Sequence, residues 1–338
     1  MRKIFSIRFI IYLFVLLLIG LCILILYKQQ NKYENFENSD NYQNFNIGNI
    51  LSEYFYEMGI AFLNNKDYDA NFTMNKYHKG KQYTYDFIKE FPIFVECRKD
   101  INENMLKAGL TPENVNESFN KISEEYHKYI GSSAWLTIDK THETFWLCMK
   151  PVVNEYYKKI FDKMGISKKI DCPIIHYRCS DVPFVKHSHY GFQKYSFFKD
   201  SLDQIQQKLG KKYGDVVIFY CNSHYSSNQN KDACNIYDDS LTNYIKDLGY
   251  NVKNQCGNAI DDFAAMFFAP AVISTCSSFS FMSGFFSDGI FISEGHYEDS
   301  NSYCDNCGDW LKHGYTISHS DVNDYNNTET VIPLLRAI

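Results

Sequence analysis

The sequence predicts an α/β protein, two α/β units behind a single membrane-spanning helix, and three observations predict it. Short β-branched runs such as "CPIIHY", "DVVIFY" and "AVIST" alternate with amphipathic stretches through the second half of the chain, the pattern of a parallel sheet with crossover helices. The 338 residues are enough for two units, since domains commonly run to about 100–200 residues. Finally, the N-terminus carries a long uncharged stretch.

That stretch is "FIIYLFVLLLIGLCILILY", nineteen residues from Phe9 to Tyr27, preceded by Arg2, Lys3 and Arg8. At 1.5 Å per residue it spans about 28 Å, the thickness of the hydrocarbon core of a bilayer. A cleaved signal peptide has a shorter apolar core and a small-x-small exit, which "LILYKQQ" lacks. Basic residues on the short side predict a cytosolic tail over residues 1–8, a signal anchor over 9–27 and a translocated remainder. The expected topology is type II, with the working part lumenal in an ER- or Golgi-like compartment, or extracellular.

The segment 28–46 is rich in Asn, Gln and acids with few aliphatics, so it cannot form a core and reads as a stem. The net charge is −6, and leaving out Arg2, Lys3 and Arg8 takes the exported part to −9. Phosphate backbones are held by clustered Lys and Arg, so a nucleic-acid partner is not expected. Of eleven cysteines, Cys22 lies in the anchor, leaving ten in the exported part, where an oxidising compartment permits disulfides. Asn71, Asn116 and Asn326 head Asn-x-Ser/Thr sites, in keeping with a lumenal location. The pair "CDNC", Cys304 and Cys307, reads as a local disulfide or free thiols ahead of half a zinc site, because no second pair stands at comparable spacing.

From Ile50 to Leu63, "ILSEYFYEMGIAFL" has apolar residues at three- and four-residue intervals, a core-facing helix. Another helix starts with Thr111 as N-cap and Pro112 in the first turn, carries Val115, Phe119, Ile122, Tyr126 and Ile130 on one face, and ends at Gly131. Past a boundary before Lys169 the α/β alternation begins: strand "CPIIHY", helix "SLDQIQQKLGKKY", strand "DVVIFY", helix "SLTNYIKDLGY", then "NVK". The helix "DDFAAMFF", the strand "AVIST" and the helix "SSFSFMSGFF" close the series. Residues 47–168 and 169–338 are thus expected to be two α/β units facing a cleft.

Ligands of parallel α/β sheets bind beyond the carboxyl ends of the strands, where "HYRCSD" falls. Arg178 there suits a bidentate hold on phosphate or carboxylate, with His176 and Asp181 beside it. Equally, Arg178 and Asp181 suit a surface turn pair, worth little. The serine-rich turn at Ser277, Ser278 and Ser280 opens a helix, where N–H groups and hydroxyls favour an anion, although serines also simply cap helices. Taken together, a strand-end arginine and a serine-rich helix start favour a diphosphate pocket. His187, His189 and His224 lie on loops near strand ends and read as solvated.

In chain order, His176-x-Arg178-x-x-Asp181 at a strand end is followed by Asp262-Phe263-x-x-Met266, Val272-Ile273-Ser274 and Ser277-Ser278-Phe279-Ser280. These segments resemble the α1,2-, α1,6- and protein O-fucosyltransferase superfamily. "IGNILSEYFYEMGIAFL" is similar to the Gly-Asn segment that opens the first domain there. The resemblance covers a small part of the chain. It implies the GT-B fold of two Rossmann-like domains, 47–168 on the acceptor side and 169–338 on the donor side, with Gly48 and Asn49 in a loop facing the donor. It also implies a GDP-linked sugar donor, fucose first, and no metal cofactor, with Arg178 on the diphosphate, Ser277, Ser278 and Ser280 around it, and His176 in support. The acceptor is a glycan or glycoprotein. Many relatives have His-x-Arg-Arg-Gly-Asp, whereas Cys179 and Ser180 stand at the second arginine and the glycine; after the serines come Phe281 and Met282.

On this reading Arg178 stabilises the leaving group, and Asp181 or a residue of the first domain serves as the base for an inverting transfer. Cys179 motivates an alternative, a non-catalytic glycan- or protein-binding protein on the same fold. A further alternative rests on "KDYD", which sets Asp67 and Asp69 at the spacing of metal-dependent GT-A transferases.

Overall fold

The computed structural model describes residues 47–69, 94–126, 139–167, 170–179, 182–184, 191–220, 227–275, 277–294, 309–311, 315–318 and 321–337. The expected anchor at 9–27 and stem at 28–46 lie outside the described residues. No helix among those described is long and apolar enough to cross a membrane.

The N-terminal half supplies helices α1 (Ile47–Leu63), α2 (Lys99–Lys107), α3 (Pro112–Tyr126) and α4 (Lys140–Lys163). Strands β1 (Tyr68–Asp69) and β2 (Phe94–Val95) form a short antiparallel pair. α1 is buried on nearly every side, with Ile50, Leu51, Phe55, Met58 and Phe62 wholly inside. A helix apolar all round belongs in a core. α3 begins as expected: Thr111 Oγ1 accepts the Asn114 N–H at 3.2 Å and Asn114 Oδ1 accepts the Thr111 N–H at 2.9 Å, a reciprocal cap. Asp139 caps α4 by accepting the His142 N–H at 2.9 Å.

In the second half come β3 (Ile174–His176), β4 (Gly191–Gln193), α5 (Tyr195–Leu209), β5 (Asp215–Phe219), α6 (Asn228–Asp247) and β6 (Asn251–Gln255). They are followed by α7 (Ala259–Phe268), β7 (Ala271–Ser274), α8 (Ser278–Ser280, running into a π-helical turn at Phe281–Phe285) and β8 (Ile290–Glu294). β9 (Asp309–Leu311), β10 (Thr316–Ser318) and α9 (Thr328–Arg336) complete the chain. Six strands form one parallel sheet in the order β6-β5-β3-β7-β8-β9, and β4 pairs with β10 apart from it. The first strand of that sheet is central and the chain winds outward both ways, as in doubly wound nucleotide-binding folds. The direction reverses between β3 and β7, which pair with Ile175 beside Ile273 and His176 beside Ser274.

Strand residues alternate between two cores, as period-two side chains must. Ile174, Val217, Phe219, Val272 and Phe291 face a layer built from α1–α4, α7 and α8, whereas Ile175, Val216, Ile218, Ile273 and Ile292 face α5, α6 and α9. Residues 47–168 were expected to carry an α/β layer of their own. Their described part is helical except for β1 and β2, and its core is continuous with the sheet's. Trp146 packs on Phe281 and Phe286 with ring centroids 6.1 and 5.7 Å away, and Tyr157 on Phe263 at 5.3 Å. The physical reason is coverage: one face of a parallel sheet needs an apolar lid, and α1 and α4 provide it.

Boundaries shift where tertiary packing extends the local pattern. The helix expected at Ile50 starts at Ile47, and the one expected over 240–250 starts at Asn228 behind the Ser227 cap. The helix expected over 201–213 runs over Tyr195–Leu209 and stops at Gly210, whose φ of 58° is left-handed.

Candidate functional site

The reversal between β3 and β7 lies at the carboxyl end of the sheet, where parallel α/β folds bind ligands, and His176, Arg178 and the serine-rich turn come together there. Thr275, just past β7, organises it: its hydroxyl donates to the His176 carbonyl at 3.1 Å and accepts the Arg178 N–H at 3.0 Å, while its own N–H reaches the same His176 carbonyl at 3.2 Å. The Tyr177 N–H is held by the Phe219 carbonyl of β5 at 2.9 Å. Arg178 therefore leaves the sheet between its two halves. Thr275 was not singled out from sequence; its position directly after "AVIS" is the signal that marked it.

His176 sits beside Arg178 with its ring 5.7 Å from that of Phe279. Its Nδ1 is buried without a hydrogen-bond partner, and burial together with the Arg178 charge pushes its pKa down to about 3. The imidazole is neutral at physiological pH. Asp181 lies outside the described residues.

The three serines divide by role. Ser278 Oγ donates to Asn49 Oδ1 at 2.5 Å, and the Ser280 and Ser274 hydroxyls are 2.7 Å apart. Both bonds tie elements together. Ser277 occupies the N-cap position of α8 with extended backbone, is 2% exposed, and makes no side-chain cap bond. Of the three hydroxyls it is the one not committed to that scaffold.

Gly48 and Asn49 were expected in a loop; they form the first turn of α1. The reason is close packing. A Cβ on Gly48 would lie 2.5 Å from the Phe279 nitrogen and 2.6 Å from the Ser278 carbonyl carbon, so only glycine lets α1 end against the start of α8. The first described turn of α1 therefore meets the start of α8, which follows the Thr275 that holds the Arg178 main chain. Neither has an acidic residue in its first turn. The first N–H groups of a helix lack intrahelical acceptors and favour anions, although α8 has only three residues before its π-helical turn.

One more carboxylate belongs to this region. Glu53 is four residues after Asn49 on α1 and is 7% exposed. That spacing places it on the same helix face, about 6 Å along the axis. Asn49 plus four was the available signal, and it was overlooked because charged residues on helices usually face water.

Cys179 follows Arg178 and is bonded to Cys234 of α6, with Cα atoms 5.7 Å apart and both residues wholly buried. What looked like a missing second arginine is one end of a disulfide. Cys256 is disulfide-bonded too, while Cys97, Cys148 and Cys172 are thiols. Of the "KDYD" pair, Asp67 Oδ1 accepts the Cys97 N–H at 2.6 Å and Asp69 belongs to β1. Among the described residues no group of three or more His, Cys, Asp and Glu side chains gathers to hold a metal.

Compared with known proteins, the chain has no significant match to any family model, curated protein or solved structure.

Proposed function

We propose that the chain is a membrane-anchored glycosyltransferase. In this reading it takes a nucleotide-diphosphate sugar, GDP-fucose first, and transfers the sugar with inversion to a hydroxyl of a glycan or glycoprotein. The observation that carries the proposal is the meeting of the acid-free first turns of α1 and α8 at the reversal point of a doubly wound parallel sheet, where Thr275 holds the Arg178 main chain. Such a place favours a multiply charged anion bound edge-on to the sheet. The finer architecture is the GT-B pair, with residues 47–168 on the acceptor side and 9–27 as a type II anchor; the α1 to α8 contact, one helix from each half, supports the pairing.

Arg178 grips the diphosphate bidentately, and the first N–H groups of α8 with the Ser277 hydroxyl take further oxygens. These groups stabilise the charge that develops on the leaving phosphate as the glycosidic bond breaks. The acceptor oxygen attacks from the opposite face, and its proton passes to a carboxylate. Glu53 is the described carboxylate nearest this end of α1, and helical side chains lean toward the helix N-terminus. Asp181 is the other candidate. The alternative, a non-catalytic glycan- or protein-binding protein on the same fold, rests on Cys179 standing at the second arginine; the disulfide to Cys234 gives that cysteine a structural role.

The test uses the full-length chain purified in detergent, titrated calorimetrically with GDP-, UDP- and CMP-sugars. One of them binds, and Arg178→Ala weakens that binding by about 100-fold, the loss of a charge-assisted pair. Failure to bind any of them overturns the proposal. Glu53→Gln leaves binding within about twofold and lowers turnover by about 10²–10⁴; unchanged turnover moves the base to Asp181.

A further inference from the structure

The loop that carries Arg178 is fastened at three consecutive residues by three different elements. Tyr177 hangs from β5 through its N–H, Arg178 from Thr275 after β7, and Cys179 from α6 through the bond to Cys234. The first two bonds hold main chain only, and β3 itself is three residues long. Past Cys179, the Val182 N–H bonds to the Cys179 carbonyl at 3.0 Å. The disulfide is thus the covalent stop that fixes where the backbone leaves the sheet on the side away from α1 and α8. Its partner is in the second turn of α6, a helix that starts beyond the carboxyl end of β5, on the same edge of the sheet as the Arg178 loop.

We infer that Cys179 and Cys234 are positioning residues for the anion site: their disulfide fixes the main chain from which the Arg178 side chain springs, at the carboxyl end of β3 beside the Thr275 turn that leads into α8. This rests on the anion-binding reading of that sheet end. A bond serving only as a staple would act through the unfolded chain, and its loss would lower stability without changing the affinity of the folded protein. A positioning bond acts on the folded site. The distinction predicts that the protein reaches its binding-competent form only in an oxidising compartment, and that reduction of the folded protein turns anion binding down.

The probe is inorganic pyrophosphate, titrated calorimetrically into the full-length chain in detergent with Arg or Ala at position 178 and with or without the disulfide. The bond is removed by the double change Cys179→Ala/Cys234→Ala, and independently by dithiothreitol, which becomes its own cyclic disulfide and leaves two cysteine thiols. The expected result is at least a tenfold loss of affinity when the disulfide goes in the presence of Arg178, and less than a twofold loss in the Arg178→Ala background, because the two act as a unit. Near-UV circular dichroism confirms that the folded form is being measured, and the reduced native protein serves if the double variant does not fold. Unchanged affinity, or equal losses in both backgrounds, overturns the inference and leaves the proposed function standing. No pyrophosphate or nucleotide-sugar binding by the unaltered chain overturns both.

Discussion

The two faces of the parallel sheet are covered in different ways. On one, α1–α4 with α7 and α8 build a core of Phe, Met and Trp, including Phe55, Phe145, Trp146, Phe263 and Met266. On the other, α5, α6 and α9 close over Tyr177, Tyr195, Tyr237 and Tyr325 with the Cys179–Cys234 bond among them. The first combines non-directional apolar area with side-chain ties, such as the Trp146 to His142 bond at 3.2 Å and the Tyr68 to Glu57 bond at 2.9 Å. The second differs in tying tyrosine hydroxyls to main-chain carbonyls: Tyr237 donates to the Tyr325 carbonyl at 2.5 Å and Tyr325 to the Ile317 carbonyl at 2.5 Å. The candidate site straddles the boundary: α1 and α8 reach it from the phenylalanine face, and the Arg178 loop is anchored on the tyrosine face. A binding site between two differently built layers can be assembled only when both are in place.

The comparison breaks most sharply at Gly48. Its Cβ would strike the main chain of α8, which cannot swing aside, so Gly48→Ala is expected to cost about 1–3 kcal/mol by overpacking and to weaken pyrophosphate binding as α1 is pushed from α8. Gly59→Ala is the comparison on the same helix: its Cβ would meet the wholly buried Phe145 ring at 2.4 Å, so it too is expected to lower stability by overpacking, while it leaves pyrophosphate affinity unchanged because it does not face α8. Urea unfolding with parallel pyrophosphate titrations checks both; equal losses of affinity for the two variants would show that the α1 to α8 contact is ordinary packing.

Acid separates the faces further. His142, in the phenylalanine core, accepts a hydrogen bond from Trp146 Nε1 at 3.2 Å, and burial pushes its pKa down to about 3, as it does for His176 at the sheet end. The unfolded chain protonates near the ordinary value of 6.5, so between these values it binds more protons than the folded one. Stability is full above about pH 7 and falls as pH drops, by up to about 1.4 kcal/mol per pH unit for each histidine. Urea midpoints at pH 7 and pH 5 are expected to differ accordingly, and His142→Gln to remove part of that slope. A slope unchanged by His142→Gln would place the acid sensitivity elsewhere.

The smallest expected effect is on the tyrosine face. Tyr237→Phe removes the donor to the Tyr325 carbonyl and costs about 1 kcal/mol, with pyrophosphate affinity unaltered because the disulfide still anchors the loop. Calorimetry of the variant measures both. A fall in affinity would mean that the tyrosine ties, and not the disulfide alone, position Arg178.

Local sequence determined much of this protein. The strands at 174–176, 215–219 and 271–274 and the start at Thr111 were legible because β-branched runs and cap residues act over a few neighbours. The candidate site was legible too, since an arginine after one such run and serines after another must lie at the same end of a parallel sheet. Less local features were not. The strand β8, the edge strand β9, the pair β4 and β10, and the long helix α4 escaped notice; α4 contains Pro151, which reads as a helix breaker. That Gly48 sits in a helix, that Ser278 and Ser280 are bonded into the scaffold, and that Cys179 finds Cys234 all depend on chain segments far apart in sequence. Such contacts leave no period or spacing to read. The sequence by itself placed an arginine at the end of a strand; the tertiary structure decided that its loop is fastened by Thr275 and a disulfide and that the first turn of α1 packs on the start of α8, because only packing brings distant backbone ends together.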